Sequence, residues 1–244
     1  MGEIMAIASG TWRRVLRMKV VYFLIACVWI LIGSTLNYNI LTLEHNRELM
    51  IDVSLALNTI AAILVVISIT FEIPKELREG VASTLLTKPL GRTQYLIGKL
   101  VGTVITGAVI CAIIAIGFFF IYKMSFDSKL AITMIQTHLM VILSLIPMAS
   151  LGVLFSVFLS DTIAPIVTLV AVWLTFSTKA LLHNVPVLYG GIVPNLDFFN
   201  LKAQAVYLGV IPWDYIGLLL VWSLVFGAFA TALASLIFSQ KDIK

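Results

Sequence analysis

Residues 76–99, "ELREGVASTLLTKPLGRTQYLIGK", separate two long runs of apolar residues. Together with the residue before them, they carry seven formally charged side chains: Lys75, Glu76, Arg78, Glu79, Lys88, Arg92 and Lys99. In the whole chain of 244 residues, only 11% are charged and 61% are hydrophobic. Soluble domains contain roughly 45–50% apolar and about 25% charged residues. The composition therefore predicts a protein embedded in a membrane, in which residues 76–99 form a compact charged segment.

Six segments are apolar enough to cross a bilayer, which takes about 20 residues of helix. They are approximately residues 20–37, 53–71, 95–122, 132–159, 162–182 and 214–238. These spans use most of the chain, so the predicted fold is an all-α integral membrane protein with a single transmembrane domain over residues 1–244. Only Ser160 and Asp161 separate the fourth and fifth segments, which predicts either a tight hairpin or a kink.

The distribution of Lys and Arg predicts the orientation of these spans. With the N-terminus in the cytoplasm, eleven of the 16 Lys and Arg residues lie on the cytoplasmic side and five on the outer side. Cytoplasmic loops of membrane proteins carry such an excess. We therefore expect a multi-pass protein of the cell (inner or cytoplasmic) membrane, with both termini and residues 76–99 in the cytoplasm.

Two further segments have a pattern of their own. Residues 1–19 place Ile4, Trp12 and Leu16 among basic side chains, which predicts an amphipathic helix in the headgroup region. A basic flank that merely orients the first span is an alternative, and the two are compatible. Residues 183–213 are too polar, and too often interrupted by Pro and Gly, to span. They predict an outer re-entrant or interfacial hairpin before the sixth span.

Within the cytoplasmic stretch, residues 72–86 have the periodicity of a short amphipathic helix. Glu72, Glu76 and Glu79 fall on one acidic face, and Pro74 suits a first helical turn. The opposite face is apolar and consists of Ile73, Leu77, Val81 and Leu85. The inner leaflet is itself anionic and repels an acidic face. A protein partner is therefore favoured over lipid, and the loops of this chain offer no partner of their own.

The pattern "E-x-x-x-G" followed by "LL-x-x-P-x-x-R-x-x-Y-x-x-G-K" resembles the permease subunits of ABC-2 type transporters. The matching positions are Glu76, Gly80, Leu85, Leu86, Pro89, Arg92, Tyr95, Gly98 and Lys99. The basic N-terminus, the six spans and the outer segment before the last span are similar too. The resemblance covers nearly the whole chain, but its specific part is residues 76–99.

This resemblance implies a membrane subunit that pairs with a separate ABC ATPase, which grips a coupling helix between spans two and three. The residues assigned to that contact are Glu72, Glu76, Glu79, Gly80, Leu85, Pro89 and Arg92. Asp161, in the short inner turn, is either a second contact with the ATPase or a solvated carboxylate. The resemblance also implies a second permease copy, identical or related, so that two subunits enclose the transport path within the membrane lipid.

The chain has no motif for nucleotide hydrolysis. "GRTQYLIGKL" has six residues between its glycines where a P-loop has four, and Leu100 follows Lys99 where a P-loop has Ser or Thr. We therefore expect no catalysis and no bound cofactor in this chain, with ATP and Mg²⁺ on the partner ATPase. The histidines are scattered and match no metal motif, and no nucleic-acid partner is predicted.

Three polar residues lie inside predicted spans: Asn58, Gln136 and His138. Polar side chains in hydrocarbon usually face a cavity or another helix. These residues therefore either line the transport path or form hydrogen bonds between helices.

The sequence thus predicts the permease subunit of an ABC-2 type exporter, with lipid, peptide, antibiotic and saccharide open as substrates. One alternative is an ion-driven secondary transporter, which needs ionisable residues near the bilayer midplane, where only His138 comes near. Another is a membrane transmitter that is driven by an ATPase and moves no substrate. An intramembrane protease or lipid-modifying enzyme has the least support.

Overall fold

The computed structural model describes residues 2–37, 45–80, 91–126, 131–178, 194–207 and 209–240. Within these ranges the chain forms helices and turns and no strand. The α-helices are α1 (Gly2–Arg17), α2 (Lys19–Ser34), α3 (Asn46–Arg78), α4 (Arg92–Ser125), α5 (Ile132–Phe158), α6 (Ile163–Phe176), α7 (Lys202–Val206) and α8 (Trp213–Ser239). Short 3₁₀ turns occupy Thr35–Asn37 and Leu196–Phe199.

In the described part of the chain, α3, α4, α5 and α8 are each long and apolar enough to cross a membrane. α1 and α2 together make a fifth candidate, although the chain bends by 62° between them. α6 is a shorter apolar helix of 14 residues. The chain therefore has the all-α fold of a multi-pass membrane protein with four to five such helices, and the count of six spans stays a prediction.

The core lies where α3, α4 and α5 pack against one another. α5 is the most buried of the candidate spans, because 67% of its 18-residue apolar stretch lies inside the protein. α8 packs on α5, and α6 packs on α3 and α5. A second apolar cluster surrounds Tyr95 and Phe238, where α4 begins and α8 ends. We call this side of the bundle, which also carries Arg78 and Asp161, the Arg78 end.

The predicted helix over residues 72–86 is wrong at its beginning. Residues 72–78 are the last two turns of α3, and Pro74 lies inside that helix. Ile73 and Pro74 are buried, so packing in the core carries the helix through the proline. α3 ends at Arg78, and Gly80 has φ 71°, the left-handed conformation in which a glycine ends a helix. Leu85 and Pro89 lie outside the described residues.

Residues 2–17 form the predicted helix, but they pack along α4 instead of contacting lipid alone. A Cβ atom added at Gly98 would lie 2.8 Å from Ile7 Cβ, and one at Gly102 would lie 2.9 Å from Thr11 Cβ. Gly98 and Gly102 have the G-x-x-x-G spacing that lets two membrane helices approach closely. These glycines therefore explain why α1 rests on α4.

The described part of the predicted outer hairpin folds back on the bundle at the end opposite Arg78. α7 contacts α3, and the turn Leu196–Phe199 contacts α5 and α6. Thr133 Oγ1 donates to the carbonyl of Gly209 at 2.7 Å, which links the start of α5 to the segment before α8. Of the predicted hairpin over 183–213, residues 183–193 and 208 lie outside the described residues.

Candidate functional site

Charged side chains from three helices meet at the Arg78 end. Lys99 Nζ forms ion pairs with Glu72 and, at 2.8 Å, with Glu76 Oε1. Arg14 from α1 contacts the same carboxylates, at 3.0 Å from Glu72 and 2.9 Å from Glu76. Tyr95 Oη donates to Glu76 Oε2 at 2.6 Å. We refer to Arg14, Glu72, Glu76, Tyr95 and Lys99 as the charged cluster.

Helix periodicity brings these groups together. Glu72 and Glu76 are four residues apart on α3, and Tyr95 and Lys99 are four residues apart on α4, so each pair lies on one face. Because α3 and α4 pack against each other, the two faces meet. Glu72, Glu76 and Lys99 are only 8%, 5% and 4% exposed. Two carboxylates are thereby balanced by two cations.

The prediction that this chain offers no partner to the acidic face is therefore wrong for Glu72 and Glu76. Both carboxylates are satisfied inside the protein. Glu79 differs, because its side chain is 49% exposed and its ion-pair partner, Lys75, lies on the same helix at 3.9 Å. Of the three glutamates, Glu79 is the one placed to meet another molecule.

Arg92 joins the start of α4 to the end of α8. Its Nη1 donates to the carbonyls of Phe238 at 2.7 Å and Ser239 at 3.0 Å. The guanidinium also lies over the Phe238 ring, 5.6 Å from its centre. A cation at a helix C-terminus satisfies the last carbonyls and complements the helix dipole. Arg92, predicted as an ATPase contact, thus anchors α8.

Asp161 forms an ion pair with Arg78. This contact connects the last residue of α3 to the turn between α5 and α6. The carboxylate of Asp161 therefore already has a cationic neighbour inside the protein. Both alternatives for Asp161, an ATPase contact or a solvated carboxylate, have to include this ion pair. The side chain of Asp161 is still 28% exposed.

The three predicted path residues lie away from the charged cluster. Gln136 Nε2 donates to the carbonyl of Ile211 at 3.1 Å, which favours its role in joining two parts of the chain. His138 Nδ1 bonds to the carbonyl of Met134 in its own helix, and its ring stacks on Phe118. Asn58 is fully buried. Within the described residues, its side-chain amide, His138 Nε2 and Gln136 Oε1 have no hydrogen-bond partner.

Among the described residues, no group of three or more His, Cys, Asp or Glu side chains has the arrangement of a metal site. Models of known protein families and curated protein sequences gave no match to this chain. The geometry of the site therefore carries the functional argument together with the motif in residues 76–99.

Sequence reasoning missed the parts played by Arg14, Tyr95 and Lys99. Tyr95 and Lys99 stand in the motif, and their spacing of four residues matches that of Glu72 and Glu76. This shared spacing could have predicted that the two pairs lie on the sides of α3 and α4 that face each other. Arg14 had no such signal, because its contact depends on how α1 packs against α4.

Proposed function

We propose that this chain is the transmembrane permease subunit of an ABC-2 type exporter in the inner membrane of a cell. In this proposal it has six spans, and both termini lie in the cytoplasm. The observation that carries the proposal is that Tyr95 and Lys99 of the 76–99 motif are both bonded to Glu76 of the same motif. Glu76, Tyr95 and Lys99 join α3 to α4 on either side of residues 79–91. In this proposal the segment between the two helices is the contact for an ABC ATPase.

The end of α3 and the start of α4, which flank that segment, are held by contacts with several helices. Arg78, at the end of α3, is paired with Asp161, and Arg92, at the start of α4, is bonded to the end of α8. The charged cluster adds α1. A displacement of residues 79–91 by a partner would therefore be passed to α1, α3, α4 and α8 together. ATP binding would close the ATPase subunits, move this segment, and rock the helices between inward- and outward-facing states.

The predicted contact residues differ in position and therefore in their proposed roles. Glu79 and Gly80, together with Leu85 and Pro89 in the following segment, meet the ATPase. Glu72, Glu76 and Arg92 act indirectly, because they hold the ends of that segment in place. Asp161 acts through Arg78 and through its own exposed edge.

The remaining parts of the proposal concern the assembly. Two permease copies, or one copy and a related permease, enclose the transport path, and two ATPase subunits bind ATP and Mg²⁺. This chain is non-catalytic. Native mass spectrometry of the solubilised complex should find two permease chains, and a single permease chain would count against the proposal.

Charge reversal at Glu79 tests the coupling contact. Glu79→Lys should lower permease-dependent ATP hydrolysis in proteoliposomes and weaken pull-down of the partner ATPase, with unchanged membrane yield. Asp214→Lys is the matched control, because Asp214 is an exposed carboxylate in the first turn of α8, at the end of the bundle opposite Arg78. Equal hydrolysis by Glu79→Lys and wild type would refute the contact, and a neighbouring frame without a P-loop would argue against the whole assignment.

Glu79 and Glu48, at the two ends of α3, test the orientation. In a variant without the free cysteines Cys27 and Cys111, Glu79→Cys should react with an impermeant thiol reagent only from the cytoplasm. Glu48→Cys should react only from outside. Labelling of both from one side would contradict the proposed topology.

An ion-driven secondary transporter is the second candidate. His138 favours it, because its Nε2 is buried and unpartnered in the described structure. Transport into vesicles driven by a pH gradient without ATP would support this candidate and oppose the ABC proposal. A complex that hydrolyses ATP while no transport is found would favour the transmitter without a substrate.

A further inference from the structure

An apolar groove of about 370 Å³ runs between α3, α5 and α6. Ile60 and Trp173 form part of its walls. Thr59, Thr137 and Ser144 also line it, but their hydroxyls donate to carbonyls of their own helices at 2.8, 3.0 and 2.7 Å. The groove therefore suits hydrocarbon better than a polar solute. We call it the acyl groove.

A second cavity, of about 570 Å³, lies at the end of the bundle opposite Arg78 and is lined by charged side chains. His45, Glu48 and Asp52 stand on one side of it and Lys202 on the other. Lys202 also lines the acyl groove, so the two cavities meet at its side chain. We call the second cavity the charged cleft.

The charges of the cleft are only loosely engaged with one another. Lys202 Nζ is 3.6 Å from Asp52 Oδ1, and His45 Nδ1 is 3.8 Å from Glu48 Oε2. Both separations exceed the ordinary length of a hydrogen bond. An ammonium group has three donors and a carboxylate has about four acceptor sites, so each group can bind a ligand as well.

We propose that the acyl groove and the charged cleft together bind one zwitterionic phospholipid. One acyl chain occupies the groove, the phosphate contacts Lys202, and the headgroup ammonium contacts Asp52 and Glu48. A lipid with only negative charge in its headgroup would place no cation opposite these two carboxylates. Charge complementarity therefore selects phosphatidylethanolamine or phosphatidylcholine over phosphatidylglycerol.

The dimensions of the groove agree with this occupant. Its α3 wall extends from Leu55 to Ile63, which is about 12 Å of helix at 1.5 Å per residue. One leaflet of the hydrocarbon core is about 15 Å thick. A single acyl chain can thus lie in the groove over most of its leaflet while its headgroup reaches Lys202. This inference requires only that the bundle is embedded in a membrane, so it stands apart from the proposed ATPase contact.

Native mass spectrometry of the detergent-purified chain tests the site. The protein is incubated with equal amounts of phosphatidylethanolamine and phosphatidylglycerol that carry identical acyl chains, and the retained lipid is counted. Wild type should retain phosphatidylethanolamine in preference. Lys202→Gln should lower that retention about tenfold, as expected for the loss of one charged hydrogen bond. Lys123→Gln is the control, because Lys123 is an exposed cation in the last turn of α4, at the same end of the bundle as Lys202.

A second pair of variants tests the groove without changing any charge. Ile60 and Leu64 lie one turn apart on α3 and are similarly exposed, at 51% and 45%, but only Ile60 lines the groove. Ile60→Trp should abolish lipid retention, whereas Leu64→Trp should preserve it. Equal retention of the two lipids by wild type, equal retention by the two Trp variants, or no retained lipid at all would each overturn the proposal.

Discussion

Replacing Lys99 with Met should destabilise the protein more than any other single change in the charged cluster. Met has a similar length and no charge, so the change removes the ammonium while leaving little empty space. Lys99 is 4% exposed and is the one fully buried cation facing Glu72 and Glu76 in the described structure. After its removal the two carboxylates share only Arg14, whose side chain is 48% exposed.

The expected loss follows from the burial of these groups. Removing one partner of a buried ion pair costs about 3–5 kcal/mol, because the other charge is left in a medium of low polarity. Stability of a whole domain is about 5–15 kcal/mol, so Lys99→Met should remove a large part of it. The measurement is the free energy of unfolding in mixed micelles titrated with SDS, with membrane yield recorded beside it.

A double variant separates lost charge balance from lost packing. Lys99→Met combined with Glu76→Gln leaves Glu72 and Arg14 as a neutral pair, and the Gln oxygen can still accept the Tyr95 hydroxyl. The double variant should regain at least about 2 kcal/mol over Lys99→Met alone. Arg14→Gln should cost only about 1 kcal/mol, because water screens a half-exposed charge. If Lys99→Met unfolds like wild type, or if Glu76→Gln gives no recovery, the cluster does not stabilise the fold as described.

Three further changes test other contacts with the same titration. Gly117→Leu should cost about 1–3 kcal/mol, because any Cβ there would overlap the indole of Trp29, and Trp29→Ala in the same chain should restore stability. Gly80→Ala should cost about 1 kcal/mol, because φ 71° strains any residue with a Cβ. Arg92→Gln should cost about 1 kcal/mol and speed hydrogen exchange in the last turn of α8, where Phe238 loses its donor. A wild-type titration curve for any of these variants would contradict the contact concerned.

Hydrophobicity predicts which parts of this chain are membrane helices but not where the helices end. The second predicted segment was 53–71, whereas α3 extends over Asn46–Arg78. Its 33 residues measure about 50 Å, and the hydrocarbon core of a bilayer is about 30 Å. The excess at both ends includes charged residues such as Glu48 and Glu76, which lower the hydropathy of those turns. The same limit placed a separate helix at Glu72 where α3 simply continues.

Only part of the charged cluster could be predicted from the sequence. Glu76 and Lys99 belong to the motif, and helix periodicity put Glu72 and Glu76 on one face, as they are in α3. Which face of α4 meets them depends on core contacts that are distant in sequence, such as the cluster of Ile73 with Tyr95 and Leu96. A single sequence carries no direct record of such contacts, so an internal ion pair was read as a surface for another molecule.

A buried ion pair near the end of α3 and the start of α4 suits the proposed function better than an apolar contact would. Contacts between apolar side chains specify orientation only weakly, because the hydrophobic effect is non-directional. Separating α3 from α4 at this point would instead take Lys99 away from both Glu72 and Glu76 and leave a buried charge without its partners. In the proposed function, α3 and α4 would therefore keep a fixed register at Glu76 and Lys99 while a partner exchanges contacts at Glu79. Glu79, which is exposed, is free to change partners without that penalty, so a moving contact belongs at Glu79 and a fixed one at Glu76.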